Sequence, residues 1–240
     1  MNRGVPPQSQ SAPPRTAERS RPDRAAVAAA RFLALWERCV ATPPSPDATT
    51  VYADLKRRHE APQRRFHNFD HIRDCVDRID EVAPFLVDRD ASELALWFHD
   101  SVYEPGAATN ERRSAELFLQ LSAGARPALR RRVCGLILAT RHTSRPPGND
   151  CRYIMDIDLA GFGAPWDEFI RQGAELRAEF GSQSDAQYCS AQAVFLRRLA
   201  GRPRFFATDY FRQRYEATAR ENLRRVLADL AARGYSGSTR

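Results

Sequence analysis

The sequence predicts an all-α protein folded as a single helical bundle. Apolar residues recur at spacings of three and four along most of the chain, and no run alternates with the period of two that a half-buried strand requires. N-capping residues, prolines and glycines divide this pattern into segments of helix length. With 240 residues, 42% of them apolar, the chain can bury one sizeable core, and we find no internal repeat.

Four helices are predicted in the first part of the chain. Each carries a stripe of large apolar side chains, and the proline-rich stretch 43–46 ends the first of them. The fourth has Asp90 as its expected N-cap and ends before the Pro-Gly pair at 105–106. The predicted ranges are 25–40, 47–58, 68–82 and 90–103.

Six further segments follow. Thr109 or Asn110 caps the first of them, and the Pro/Gly-rich stretch 144–150 forms a loop after the second. Ser184 and Thr208 are the expected N-caps of the last two. The predicted segments run from 109 or 110 through 121, then over 127–141, 153–159 as a short segment, 165–180, 184–200 and 208–233.

The two ends of the chain are predicted to lie outside this bundle. Residues 1–24 hold five arginines against two acidic residues, with almost no large apolar side chain. Ordering such a segment costs backbone entropy that burial does not offset, so we expect a disordered basic tail. Residues 236–240 are expected to be frayed, which leaves residues 25–235 as the folded domain.

Composition disfavours several classes of function. No apolar run approaches the roughly 20 residues of a membrane-spanning helix, and the N-terminus lacks the apolar region of a secretory signal. We therefore expect a cytoplasmic protein with no membrane partner. The net charge of +7 suits an anionic substrate, but no stripe of aromatic and basic residues indicates a nucleic acid as the main partner.

The cysteines point away from both disulfides and a thiolate metal site. Five cysteines occur singly, with no CxxC pair among them. This spacing is typical neither of a disulfide framework nor of a zinc site built from thiolates. We expect buried free thiols at Cys39, Cys75, Cys134, Cys151 and Cys189.

Three clusters combine histidine with carboxylate and aromatic residues. They are FHNFDHI at 66–72, LWFHDSVYEPGAATNERRSAELF at 96–118 and MDIDLAGFG at 155–163. In the first cluster His67 and His71 are four residues apart, which places both imidazoles on one helical face. Two imidazoles can therefore point at the same spot in the interior.

The other two clusters add carboxylates. His99 and Asp100 follow an apolar run that buries them, and a buried carboxylate needs a partner. Asp156 or Asp158 offers a third carboxylate, and the spacing leaves the choice open. Imidazole and carboxylate together suit a divalent ion such as Zn, Mn, Fe, Co, Ni or Mg. Such an ion lowers the pKa of a bound water and supplies hydroxide for attack on phosphorus.

The two remaining histidines have simpler interpretations. His59 follows three basic residues and is expected on a solvated face. His142 lies at the end of an apolar helix, where it either complements the helix dipole or lines the site.

These motifs resemble those of the HD superfamily of metal-dependent phosphohydrolases, in particular the bacterial branch of predicted metal-dependent HD phosphohydrolases. The family order is His, then His-Asp, then a distant Asp. TNERRSA at 109–115, ATRHT around His142, LRAEF at 176–180 and AREN at 219–222 extend the similarity to roughly residues 25–235. The resemblance implies an HD-type helical bundle that binds a divalent metal ion and hydrolyses a phosphate monoester or diester of a small nucleotide.

The resemblance also implies roles for individual residues. It assigns the metal ligands to His71, His99, Asp100 and Asp158. His67 matches the general acid of phosphodiesterase relatives, and Glu111 would either orient the attacking water or form a hydrogen bond that supports a ligand. Further candidates for substrate binding or for support of the ligands are Asn110, His142, Asp156 and Arg177, and the candidates for phosphate binding are Arg112, Arg113, Arg141 and Arg177.

The sequence departs from the family pattern in two ways. Phe66 replaces the usual Tyr before His67, and the extra motifs of second-messenger and nucleic-acid relatives are missing. The resemblance therefore does not carry a specific substrate with it. The alternatives are a non-catalytic metal- or nucleotide-binding HD module and a di-iron oxygenase. The oxygenase is disfavoured because its additional imidazoles would have to come from His67 and His142.

Overall fold

The computed structural model of the protein describes residues 21–143 and 148–235, with side chains from residue 24 onward. These residues form ten α-helices and two short 3-10 helices and contain no strand, so the all-helical prediction is confirmed. The α-helices are α1 (Arg21–Cys39), α2 (Ala48–His59), α3 (Phe69–Val82), α4 (Arg89–Phe98), α5 (Asn110–Leu121), α6 (Pro127–Ala139), α7 (Asn149–Asp158), α8 (Trp166–Glu179), α9 (Asp185–Ala200) and α10 (Asp209–Ala232). The 3-10 helices are Ala83–Phe85 and Leu159–Gly163.

The first helix begins earlier than the sequence predicts. It starts at Arg21 instead of at residue 25. Pro22 lies in its first turn, where a proline is tolerated because backbone N–H groups there have no acceptor within the helix. Arg24, placed in the predicted tail, lies 3.8 Å from Asp74 and 3.6 Å from Asp77 of α3. The rest of the predicted tail, residues 1–20, and the predicted frayed end, 236–240, lie outside the described residues.

The predicted N-cap of the fourth helix is wrong. The carboxylate of Asp88, not that of Asp90, accepts from the backbone N–H of Ala91, at 3.0 Å. Asp90 lies inside α4 and accepts instead from the guanidinium of Arg38 on α1, at 2.7 and 2.9 Å. Aspartate is a favoured N-cap residue, so the sequence alone does not distinguish Asp88 from Asp90. The ion pair with Arg38 engages Asp90 and leaves Asp88 as the cap.

Two further predictions about local structure are corrected. The helix α7 begins at Asn149 and not at residue 153, so it takes up the last part of the predicted 144–150 loop; residues 144–147 lie outside the described residues. His59 is fully buried and not solvated, with its Nδ1 2.9 Å from the carbonyl oxygen of Leu55. Burial lowers its pKa to about 3.

The helix α4 lies at the centre of the bundle. Every residue from Ala91 to Phe98 is buried, and the helix packs against α1, α3, α5, α6 and α7. A helix that is buried all round is typical of a protein interior. Aromatic rings surround its end, with the Trp97 centroid 5.3 Å from that of Phe32 and the Phe98 centroid 5.1 Å from that of Phe118.

This packing brings the three sequence clusters together. The helices α3, α4 and α7 contact one another in pairs, so the start of α3 and the ends of α4 and α7 share one region of the bundle. Among the described helices, none combines the length and the apolar character needed to cross a bilayer.

Candidate metal centre

His71 is positioned by the first turn of α3. The side chain of Asn68 caps this helix by accepting from the backbone N–H groups of Asp70, at 2.9 Å, and His71, at 3.1 Å. An Asn at this position satisfies N–H groups that have no helical partner. The cap fixes the backbone from which the His71 imidazole extends toward α4 and α7.

His99 and Asp100 lie just after the last residue of α4. The Nδ1 of His99 is 2.9 Å from the carbonyl oxygen of Leu96, so it carries the proton and donates it there. Arg64 holds the backbone of this turn by donating to the carbonyl oxygens of Asp100, at 2.6 Å, and Ser101, at 3.4 Å. The tautomer leaves a lone pair on the Nε2 of His99.

Asp158, the last residue of α7, brings a carboxylate to the same place. Its Oδ1 lies 3.4 Å from the Nε2 of His71 and 3.5 Å from the Nε2 of His99. Its Oδ2 accepts from the Nε2 of His142 at 2.8 Å. His142 has a positive φ of 53°, and its carbonyl oxygen accepts from Arg202 at 2.7 Å. The sequence left two roles open for His142, complementing the helix dipole or lining the site. Its hydrogen bond to Asp158 places its side chain at the site.

Asp100 completes the predicted ligand group. Its Oδ2 is 3.1 Å from the Nε2 of His99 and 3.8 Å from the Nε2 of His71. The four residues predicted as ligands, His71, His99, Asp100 and Asp158, therefore meet in one cluster.

Cys75 belongs to the same cluster and was not predicted there. It follows His71 by one helical turn, and its Sγ is 3.7 Å from the Nε2 of that imidazole. Ligand atoms of His71, Cys75, His99 and Asp158 all lie within 4.8 Å of one another, an arrangement that could hold a metal ion. The spacing of four from His71 was the signal in the sequence.

A buried nitrogen tests whether the cluster fits a metal ion. His99 is 1% exposed, and its Nε2 has no hydrogen-bond partner although two carboxylate oxygens lie within 3.5 Å. A lone pair facing carboxylate oxygens is repelled by them, and a buried polar atom without a partner costs free energy. A cation between these atoms satisfies all of them, so the residues fit a divalent ion.

Without a metal ion the charges have to be balanced by a proton. Burial disfavours an imidazolium at His99, but the charges of Asp100 and Asp158 outweigh it and raise the pKa of His99 well above its ordinary value. Burial likewise opposes ionisation of Asp158, yet the hydrogen bond from His142 and the neighbouring imidazoles of His71 and His99 hold its pKa well below the usual range. A positive charge at the centre of the cluster, from a proton or a metal ion, therefore stabilises it.

His67 lies beside this cluster and is held by a carboxylate. Its Nδ1 is 2.7 Å from the Oε2 of Glu179, and its ring stacks on that of Tyr103 with centroids 4.1 Å apart. The other oxygen of Glu179 accepts from the backbone N–H groups of residues 65, 66 and 67, at 2.8, 2.8 and 2.9 Å. The Glu179 side chain is fully buried. Its partner is 112 residues away in sequence, so spacing gave no signal of this contact.

The other predicted site residues fall into two groups. Glu111 lies on the first turn of α5, where burial and then the charge of Asp100 raise its pKa. Asp156 points away from the histidines: it accepts from the N–H groups of Ala207 and Thr208, both at 2.8 Å. Burial raises the pKa of Asp156 to about 6.

Asn110 and Arg177 each hold a loop. The Asn110 amide accepts from the N–H of Glu104 at 3.0 Å and donates to its carbonyl oxygen at 2.9 Å. The Arg177 guanidinium donates to Asp185 at 2.7 Å and to the carbonyl oxygens of Phe180 and Gln183, both at 3.0 Å. These hydrogen bonds go to nearby residues of the chain and not to residues of the metal cluster.

No family model matches the sequence, and neither a curated protein nor a solved structure matches it. The case for a function therefore depends on the residues of this chain.

Proposed function

We propose that this protein is a metal-dependent phosphohydrolase that acts on a phosphate monoester or diester, with a small nucleotide as the substrate class. The observation that carries the proposal is the Nε2 of His99, buried without a hydrogen bond and facing the carboxylates of Asp100 and Asp158. The resemblance of the three clusters to HD phosphohydrolases supports the same conclusion from the sequence.

The metal would be held by His71, His99, Asp100 and Asp158. A divalent ion bound by imidazole and carboxylate supplies Lewis acidity toward a phosphoryl oxygen and activates water near neutral pH. Asp158 is oriented for ligation because its Oδ2 is occupied by His142, which turns Oδ1 toward the two imidazoles. Such outer contacts fix the direction of a ligand.

His67 would serve as the proton donor to the leaving oxygen. The hydrogen bond to Glu179 places the proton of the neutral ring on Nδ1 and leaves Nε2 as the atom that exchanges a proton with substrate. Stacking on Tyr103 fixes the plane of the ring. Glu179 acts through His67 and is a positioning residue.

Arg141 is the best of the four arginines for binding the phosphate. Arg112 pairs with Glu116 at 3.0 Å, Arg113 pairs with Glu104 at 3.2 Å, and Arg177 is engaged in its own turn. Arg141 is exposed beside His142, and within the described part of the chain no carboxylate pairs with it. Its charge acts on Glu111, close to the cluster. A guanidinium there can bind a phosphate bidentately.

The test begins with metal analysis of protein purified without chelator. The metal-free protein is then assayed with Mn, Co, Ni, Zn and Mg against a panel of phosphate monoesters, phosphodiesters and nucleotides. We expect His99→Ala to lose both bound metal and phosphate release, because it removes the most deeply buried imidazole of the cluster.

The matched control is His59→Ala, which removes an equally buried imidazole that bonds within its own helix. It should keep its metal content. A His99→Ala protein with full metal and full activity would refute the proposal. No phosphate release with any metal, together with nucleotide binding, would favour the non-catalytic module instead.

A further inference from the structure

Cys75 shares a helical face with His71. The two residues are one turn apart on α3, which places the thiol and the imidazole side by side. The thiol is 2% exposed, and its Sγ lies 3.7 Å from one ring nitrogen of His71 and 4.0 Å from the other. A buried cysteine alone is commonly a core residue, so the thiol carries no argument without its surroundings.

The surroundings supply a separate observation. The Nε2 of His99 is buried and has no hydrogen-bond partner, and it belongs to the same group of ligand atoms as the Cys75 sulfur. Core packing does not account for a buried imidazole nitrogen that has two carboxylate oxygens within 3.5 Å and no hydrogen bond. A shared ion satisfies the nitrogen, the sulfur and the oxygen at once.

Several separations within the group are also short enough for ligands of one ion. Zinc bonds of about 2.0 to 2.1 Å to nitrogen and about 2.3 Å to sulfur allow two ligands of one ion to lie at most about 4.4 Å apart. The Oδ1 of Asp158 lies 3.4 Å from His71 and 3.5 Å from His99, and the Cys75 sulfur lies 3.7 Å from His71. These separations fall within that limit, and the sulfur lies beside the imidazole of His71, 3.7 and 4.0 Å from its two nitrogens.

We propose that Cys75 is a thiolate ligand of this metal centre and makes the centre selective for zinc, cobalt or ferrous iron over magnesium. When the bond to the metal forms, the S–H bond breaks and its proton leaves to solvent, with no change of oxidation state. Thiolate is a soft ligand, whereas magnesium and manganese prefer oxygen. The inference rests on the proposed metal centre but not on hydrolysis.

Cobalt(II) reports on the sulfur directly. The full-length protein is freed of metal and titrated with Co²⁺, and bound cobalt is measured by elemental analysis. We expect an intense sulfur-to-cobalt charge-transfer band in the near ultraviolet, which imidazole and carboxylate ligands do not give. The band should vanish in Cys75→Ala while cobalt remains bound.

Cys189→Ala is the matched control, because Cys189 is a buried thiol on α9 outside the cluster. It should keep the band. A band that survives in Cys75→Ala, or cobalt bound by the unsubstituted protein without any band, overturns the role of Cys75 and leaves the metal centre standing. Protein that binds no cobalt at all overturns both.

Two further measurements keep the inference testable if Cys75→Ala does not fold. X-ray absorption of the zinc-loaded unsubstituted protein should show one sulfur neighbour, and a shell of nitrogen and oxygen alone overturns the inference. In a folded Cys75→Ser or Cys75→Ala protein, zinc affinity should fall more than roughly tenfold, the lower limit seen when even an outer contact is lost. Magnesium affinity should change far less, and equal losses for the two ions contradict the selectivity.

Discussion

Asp156 and Asp158 show how two identical side chains on one helix acquire different roles. Both are buried or nearly so on α7, two residues apart, and therefore face different sides. Asp158 contacts two imidazoles, whereas Asp156 accepts from the backbone at the start of α10, including Thr208. The sequence left the two aspartates open, and only the resemblance favoured Asp158.

We expect Asp158→Asn to abolish metal binding with little loss of fold. An amide brings a neutral oxygen in place of a charged one, and the cluster then lacks half of its compensating charge. Asp156→Asn should keep the metal but lower the free energy of unfolding by about 1 to 3 kcal/mol, because an NH₂ group meets backbone donors. Metal analysis and chemical denaturation of both variants check this. Equal metal loss in the two would contradict it.

Cys75 and Glu179 are two residues near the candidate site that the sequence did not predict. Histidine and aspartate in charged, aromatic motifs stand out, so the sequence indicates His71, His99 and Asp100 as candidate ligands, and the resemblance adds Asp158. A single cysteine is usually a core residue, so the spacing of four between His71 and Cys75 does not by itself indicate a metal ligand. Glu179 contacts His67 across 112 positions, and no local pattern encodes such a pair.

At the scale of elements, one carboxylate joins α8 to the segment before α3. Glu179 is the only buried residue of this 14-residue helix. Its four hydrogen bonds join the end of α8 to residues 65–67 and to the His67 ring. Burial opposes its ionisation, but the hydrogen bond from His67 and the backbone donors outweigh this effect and lower the pKa of Glu179.

We expect Glu179→Gln to loosen α8 and slow turnover while the metal stays bound. A Gln cannot accept from His67 at the position that its NH₂ occupies, so unfolding free energy at neutral pH should fall by about 1 to 3 kcal/mol. Hydrogen exchange of α8 and of residues 65–67 should rise. Glu175→Gln is the matched control, since it breaks only an exposed pair with Arg171 worth at most about 1 kcal/mol.

The same variant has a pH signature. A lowered folded pKa means that the ionised Glu179 stabilises the protein fully above its unfolded pKa of 4.5, and this contribution is lost as pH falls through the lower folded value. The difference in stability between unsubstituted protein and Glu179→Gln should therefore shrink below pH 4.5. A difference that is constant from neutral to acid pH would show that the charge is not what holds α8.

Helix starts and ends were predictable to different degrees. Ser184 and Thr208 are predicted as capping side chains, and the structure places α9 and α10 directly after them. The cap of α4 was misassigned because Asp88 and Asp90 have the same local preference. The ion pair of Asp90 with Arg38 of α1 depends on how two distant helices pack, which a local pattern does not encode.

For the whole molecule, the cluster is also a cross-link between elements. His71 belongs to α3, His99 and Asp100 follow α4, and Asp158 ends α7. These residues come together only in the folded chain, so a metal bound there stabilises the folded state and not the unfolded one. At a metal concentration about 100 times the Kd, the gain is about 2.7 kcal/mol.

We therefore expect a chelator to lower Tm, and readdition of the metal to restore it. Without metal, the carboxylates require a proton on His99, whose raised pKa adds stability that is complete below its unfolded pKa of 6.5 and is lost as pH rises through the folded value. Metal binding, in contrast, favours deprotonated ligands and strengthens with pH. The Tm gap between loaded and chelated protein should widen as pH rises above 6.5. Asp158→Asn should show no gap and Asp156→Asn an undiminished one; a gap that is independent of pH would mean that His99 does not titrate in the metal-free cluster.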